Sequence, residues 1–408
     1  MDRFWACNLN RYKDVIDKSS HMGELSFMLY FDHAASSPLC PEALKTLQST
    51  MERDFYNPSA AHKWGKELNK KTGEIRDNFK AALKAPKDSR FVFTSSASES
   101  NNSLIKGLGL SKEDSLYVSF GDHASLVKPA FALSEEIKNV LELPLDDVGV
   151  PCCSLLPSAL DKNLKLVLVS TVNSQSGGLL DVQKFAAELK EKAPWVHLHL
   201  DAVQSFGKYE IDLSSGLIDS MTVSAHKMGG PKGVGALWLK KGLGLNPLLH
   251  GGNQETDYRS STIAYPLIAS FYSAFEVAQK NYQNDFERVL SLRDKLVSSL
   301  KEISSDLEFP FDPNRCSPYI ISMMWKGISS DIVLRTLEQK EVAIASTSAC
   351  SSKIKGENPT MKALGLPTSV HKFVLRISLG KMSTEEEVDA FISIFKEVYS
   401  ELQMFVKR

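Results

Sequence analysis

The sequence predicts an α/β fold built on a mostly parallel sheet, and three observations predict it. Short apolar β-type runs alternate with helical stretches from about residue 90 to 240. A long helical pattern over 268–303, rich in Ala, Glu, Lys and Leu, closes that region. A second, shorter α/β pattern then follows.

In the first region the strand candidates are Arg90 to Phe93, Leu116 to Ser119, Leu164 to Ser170, Val196 to Asp201, Met221 to Ser224 and Ala236 to Leu239. Helical patterns such as Gln183 to Lys192 lie between them. Ligands in such sheets sit beyond the carboxyl ends of the strands. The stretch 308–314, Glu-Phe-Pro-Phe-Asp-Pro-Asn, breaks the long helix. After it come a strand from Tyr319 to Met324, a helix from Asp331 to Glu338 and a strand from Phe373 to Ser378. The last helix opens with a capping box of Ser383 and Glu386, and Val388, Phe391, Ile392, Phe395, Val398, Tyr399 and Leu402 give it one apolar face. A domain boundary is expected inside or just after the long helix, near residue 285.

Composition narrows the function. The chain has 408 residues, 43% hydrophobic and 24% charged, as in an ordinary globular protein. Its 48 basic and 49 acidic residues form no basic stripe, so no nucleic-acid partner is expected. The six cysteines are too few for a disulfide framework in a chain this long, and none forms C-x-x-C, which fits a reducing compartment. Residues 1–28 lack the apolar core of a secretory signal, and no run reaches the ~18 apolar residues of a membrane span. The expected setting is the cytoplasm, with no membrane partner.

Two distant segments carry chemistry. In Ser224-Ala225-His226-Lys227, followed by glycines from Gly229 to Gly235, a lysine stands beside hydroxyl and imidazole groups. In Ser348-Ala349-Cys350-Ser351-Ser352 a thiol stands in a small polar loop, with Arg376 beyond it. Pyridoxal phosphate (PLP) chemistry needs a lysine to bind the aldehyde, a carboxylate for the pyridine nitrogen and donors for a dianionic phosphate. Lys227 is the lysine candidate. Asp201 ends an apolar strand, with Gln204 three residues on to reach the ring hydroxyl. Asp201 also reads as a helix N-cap and Lys227 as a solvated lysine. The glycines weigh against the second, since they imply close backbone approach. The strand-turn-helix from Phe93 to Asn102 suits phosphate at a helix N-terminus, and equally a capping box of Ser96 and Glu99.

At these residues the chain resembles the cysteine desulfurase family, within the class V aminotransferases of fold-type I PLP enzymes. The matches are Phe31-Asp32-His33-Ala34-Ala35, Asn57-Pro58-Ser59 with His62 and Gly65, Phe93 to Asn102, His123, Asp201 to Ser205, Ser224 to Gly235, His250-Gly251-Gly252 with Arg259-Ser260-Ser261-Thr262, Ser348-Ala349-Cys350 and Arg376-Ile377-Ser378-Leu379-Gly380. They span about Leu29 to Lys396 in the family's order. The resemblance implies a large PLP-binding domain over 38–284, with a mixed, mostly parallel sheet flanked by helices. It implies a smaller α/β domain from 29–37 and 285–408 carrying the cysteine loop, with 1–28 as an N-terminal extension.

The resemblance also implies roles. Lys227 binds PLP and moves the substrate's α-proton. Asp201 pairs with the pyridinium nitrogen and Gln204 with the ring hydroxyl. His123 stacks on the ring and handles protons. Ala97, Ser98, Ser224 and His226 hold the phosphate, and Thr262 reaches the phosphate in the partner of a homodimer. Arg376, with Asn57 and Ser174, binds the carboxylate of L-cysteine. Cys350 attacks the substrate sulfur and passes it to a protein acceptor, an iron-sulfur scaffold being one candidate. Ser174 stands where the family has Asn, a shorter side chain at a cofactor or substrate contact. A selenocysteine lyase, another class V aminotransferase or lyase, and a non-catalytic partner subunit are the competing readings.

Overall fold

The computed structural model describes residues 28–346 and 358–405. In chain order the first elements are β1 (Leu29–Tyr30), α1 (Pro41–Arg53), α2 (Lys63–Ala82), β2 (Arg90–Thr94), α3 (Ala97–Gly107), β3 (Ser115–Val118) and α4 (Ala124–Ala132). Then come β4 (Asn139–Glu142), β5 (Leu164–Ser170), α5 (Val182–Lys192), β6 (His197–Asp201), β7 (Ser220–Ser224), β8 (Gly235–Leu239) and α6 (Tyr265–Ile303). The remainder are β9 (Leu307–Glu308), β10 (Ile320–Trp325), α7 (Ser330–Glu338), β11 (Val342–Ala343), β12 (Ala345–Ser346), α8 (Pro359–Ala363), β13 (Val374–Ser378) and α9 (Glu385–Leu402).

Seven strands form the main sheet in the order β2-β8-β7-β6-β5-β3-β4. Five run parallel from β7 to β4, while β8 lies antiparallel to both β7 and β2. The sheet is mixed and mostly parallel, as expected. The interior strand β5 reads Leu-Lys-Leu-Val-Leu-Val-Ser and is buried at all but one position. Near-continuous burial of this kind is what helices on both faces of a parallel sheet impose. A second sheet, β12-β13-β10-β9, is antiparallel, and β1 pairs with β11.

Helix α6 runs unbroken through residues 284 and 285. Its first part, Tyr265 to Ala278, packs into the core around the main sheet, with Phe79, Phe91 and Phe206. Its second part, Val289 to Leu300, packs into another core, with Tyr319, Trp325 and Phe391. Phe31 and Ala34 join that second core, so the 29–37 segment packs with the later part of the chain.

Two expected caps are corrected. The box on α9 is Thr384 with Glu387, one residue later than read from the sequence. Ser383 is diverted, its hydroxyl accepting from the Gly380 N–H at 2.9 Å. On α3, Ser96 caps by accepting from the Glu99 N–H at 3.1 Å, but Glu99 does not reach back to it. Its carboxylate takes the Ser95 N–H at 2.7 Å and the Arg259 Nε at 2.8 Å. Among the described residues no helix is long and apolar enough to cross a membrane.

Candidate active site

The carboxyl ends of β5, β6 and β7 bring Ser170, Asp201 and Ser224 to one edge of the main sheet. Lys227 follows β7 in a single tight turn, Ala225–Lys227. Gly235, opening β8, lets that strand close on the start of α3. A Cβ there would lie 2.9 Å from the Ser96 carbonyl carbon and 3.0 Å from the Ala97 nitrogen. The α3 N-terminus, with its free N–H groups and dipole, is thereby held beside Lys227's turn.

A cavity of about 380 Å³ opens at this edge. Lys227, Asp201, Gln204 and His226 line it from the β6 and β7 ends; Ala97, Ser98, His123, Ser174 and Arg376 line it from other elements. Residues spread from 97 to 376 in sequence meet here. A larger cavity, about 580 Å³, is lined by Lys84, Tyr209, Glu210 and Asp212 and holds none of the anticipated residues. The anticipated residues gather in the smaller one.

Lys227 Nζ donates to the carbonyls of Ala34 at 2.6 Å and Ala35 at 2.8 Å. Burial, with the Arg376 guanidinium adding, lowers its pKa to about 8, while Asp32 and Asp201 oppose the drop. Asp201 caps no helix. Its Oδ1 accepts from the Val203 N–H at 3.0 Å and its Oδ2 from Asn101 Nδ2 at 2.9 Å. Gln204 Nε2 donates to the Ala34 carbonyl at 2.9 Å, and its Oε1 is buried without a partner.

His123 is the N-cap of α4, its Nδ1 accepting from the Ser125 N–H at 3.1 Å. Burial and the Lys227 charge depress its pKa against the pull of Asp201. Burial, then the charges of Lys227 and Lys232, lowers the His226 pKa to about 4. Arg376 Nη1 donates to the Ser174 carbonyl at 2.9 Å and Nη2 to Asp32 Oδ1 at 2.9 Å. Its Nε is buried and unpartnered.

Three anticipated residues lie elsewhere. Ser224 is buried at the end of β7 behind the turn. Asn57 is exposed, outside the cavity, with its Oδ1 accepting from the Ser59 N–H at 2.9 Å. Thr262 is exposed on the segment beyond Arg259 and lines a separate small pocket. Cys350 lies outside the described residues.

The description of the aminotransferase class-V family matches residues 29–391. The chain is a class-V aminotransferase family member. Members of this family are PLP enzymes. The NifS/IcsS protein homolog of Lactobacillus delbrueckii subsp. bulgaricus is 32% identical over 381 residues, covering 91% of this chain and 97% of the relative. The cysteine desulfurase IscS of Dictyoglomus turgidum is 28% identical, covering 92% and 95%. A solved NifS-like protein superposes with a TM-score of 0.85 at 27% identity, over 92% of this chain and all of the other (100%). A structure described as SspA in complex with cysteine gives 0.74 at 26% identity, over 87% and 99%.

The class-V member's cavity fits pyridoxal phosphate on its own donor set. It offers an amine of lowered pKa, a carboxylate held by two donors, a helix N-terminus, and two buried polar atoms without partners, Gln204 Oε1 and Arg376 Nε. Sequence reasoning missed Asp32, Asn101 and Asp122 as site residues. Asp122 is buried next to His123 and accepts from the Ser170 N–H at 3.3 Å. Burial, with the Asp201 charge adding, raises its pKa to about 7.

Proposed function

We propose that this protein is a PLP-dependent cysteine desulfurase. It converts L-cysteine to L-alanine and leaves the sulfur on Cys350 as a persulfide for a protein acceptor. The observation that carries the reading is that Lys227, Asp201, His123 and Arg376 line one cavity. Relatives named cysteine desulfurase match over nine-tenths of the chain.

Lys227, Asp201, Gln204, His226 and Ser98 hold the cofactor, with Ala97 and Ser224 supporting the phosphate end. When bound, pyridoxal phosphate supplies an electron sink for negative charge at the substrate's α-carbon. Arg376 clamps the substrate carboxylate with its guanidinium fork, and Ser174 sits beside it through its own carbonyl. Lys227, as a neutral amine, takes the α-proton. Cys350, as thiolate, attacks the substrate sulfur; its S–S bond forms as the substrate's C–S bond breaks. The β-carbon is then protonated, and alanine leaves.

A free thiol titrates near pH ~8.5, so Cys350 must give up its proton within the site. Thr262 serves the partner's phosphate in a homodimer. The acceptor is a protein, an iron-sulfur scaffold being one candidate, in a reducing cytoplasm. The domain division is 38–284 against 29–37 with 285–408, the two cores sharing α6.

Purified protein mixed with pyridoxal phosphate tests the reading. A visible absorption band that forms in the wild type and is absent in Lys227→Ala supports it. A protein that stays colourless with excess cofactor contradicts it.

A further inference from the structure

Asn101, on α3, joins two groups of the site that sit on different elements. Its Nδ2 donates to Asp201 Oδ2 at 2.9 Å and to Ser125 Oγ at 2.9 Å. Those two bonds use both hydrogens of the amide nitrogen. The amide oxygen faces the other way, 3.2 Å from His199 Nε2. An amide oxygen only accepts, so the His199 proton sits on Nε2. His199 is fully buried, and burial pushes its pKa well down, so its ring is neutral and its Nδ1 accepts. Ser220 Oγ donates to that Nδ1 at 2.7 Å and accepts from His197 Nε2 at 2.7 Å.

The same logic runs outward from Asn101 to the cavity. The Ser125 N–H donates to His123 Nδ1 at 3.1 Å, which requires a free lone pair on that nitrogen. The Ser125 hydroxyl already accepts from Asn101, so its hydrogen goes to the same Nδ1, at 2.8 Å. With Nδ1 taking two donors, the proton of neutral His123 is on Nε2, which makes no hydrogen bond to a described residue.

We propose that Asn101 is a positioning residue that orients the Asp201 carboxylate and, through Ser125, holds His123 as its Nε2–H tautomer, with the His197–Ser220–His199 chain fixing the direction of the Asn101 amide. Its catalytic meaning rests on the desulfurase reading; the tautomer assignment does not. His123 then enters the reaction as a proton donor at Nε2. As a donor at Nε2 it is not the base for the Cys350 thiol. The titratable groups around the relay are Asp201 and Lys227 at His123, Asp122 at Asp201, and Asp219 with Lys190 and Lys240 at His197.

Two measurements test the proposal. Nitrogen-15 NMR of the full, cofactor-free chain labelled on histidine reads the imidazole nitrogens, with His123→Gln and His199→Gln as assignment variants. Both rings are expected neutral near pH 7, protonated at Nε2 and bare at Nδ1. In the cofactor-loaded protein, Asn101→Leu is expected to lower kcat about 10-fold with KM nearly unchanged, and to shift the pH midpoint of the visible band. Should Asn101→Leu not fold, Asn101→Ser, which keeps a single donor, takes its place with the same expected direction. A His123 ring protonated on Nδ1, or an Asn101 variant with wild-type kcat and band midpoint, overturns the proposal. The predicted His123 signal in a protein that does not turn over L-cysteine counts against the desulfurase reading and leaves the relay standing.

Discussion

Arg376 and Asp32 form an ion pair at 2.9 Å across the join between β13 and the segment after β1. The pair fixes one edge of the guanidinium while its buried Nε stays unpartnered. A planar fork held this way is preorganised for a carboxylate, and an ammonium cannot reproduce it. Arg376→Lys is therefore expected to raise KM for L-cysteine about 10- to 100-fold with unaltered secondary structure. Steady-state kinetics with circular dichroism checks this, and an unchanged KM sinks the assignment.

Lys227 has its pKa lowered to about 8 by burial and by Arg376. Only the neutral amine attacks the cofactor aldehyde, so uptake by the cofactor-free protein should speed up as pH rises through about 8, then level off. The stability sign follows from the same shift. Above that pH the folded chain has released a proton that the unfolded chain keeps until ~10.4, so stability rises with pH across that window. Stopped-flow absorbance reads the uptake rate. A rate that is flat between pH 7 and 9 contradicts the shift.

His33 and His226 both have pKa values lowered to about 4, chiefly by burial, with lysine charges adding. The unfolded chain protonates these rings near pH ~6.5 and the folded one does not. The unfolded state then binds more protons, so stability falls as pH drops from ~6.5 towards 4. Thermal melts across that range should show a declining Tm, and His33→Gln should flatten the slope. An equally steep slope in the variant removes His33 from the account.

The alternation of apolar runs and helical patterns made the main sheet legible, because β5 and β6 are buried almost throughout and are bounded by turn residues. The short β4 escaped notice, since Asn139–Glu142 has no buried position to mark it. The α9 cap slipped by one because Ser383 and Thr384 both stand three residues before a glutamate, and only the fold decides between them. In the site, Lys227, Asp201 and Arg376 were readable as chemistry at motif positions. Asn101, Ser125 and His199 were not, because α3, α4 and β6 bring them together only on folding. The pairing of Arg376 with Asp32 was hidden for the same reason.

Phe79 is fully buried, with ring centroids of Phe91, Phe271 and Phe275 at 4.9, 5.0 and 4.9 Å. It ties α2 to β2 and α6 beneath the main sheet. Phe79→Ala should cost ~3–5 kcal/mol of stability by leaving a cavity among those rings. Chemical denaturation measures it, and a loss under ~1 kcal/mol would show that the core closes over the gap.

The most direct test of the central claim is a paired assay of sulfide and alanine. Wild-type protein loaded with cofactor is incubated with L-cysteine and a thiol reductant, beside Cys350→Ala. The account predicts equimolar sulfide and alanine from the wild type and neither from the variant. Normal turnover of L-cysteine by Cys350→Ala would contradict it, because sulfur would then leave without the thiol that is assigned to receive it.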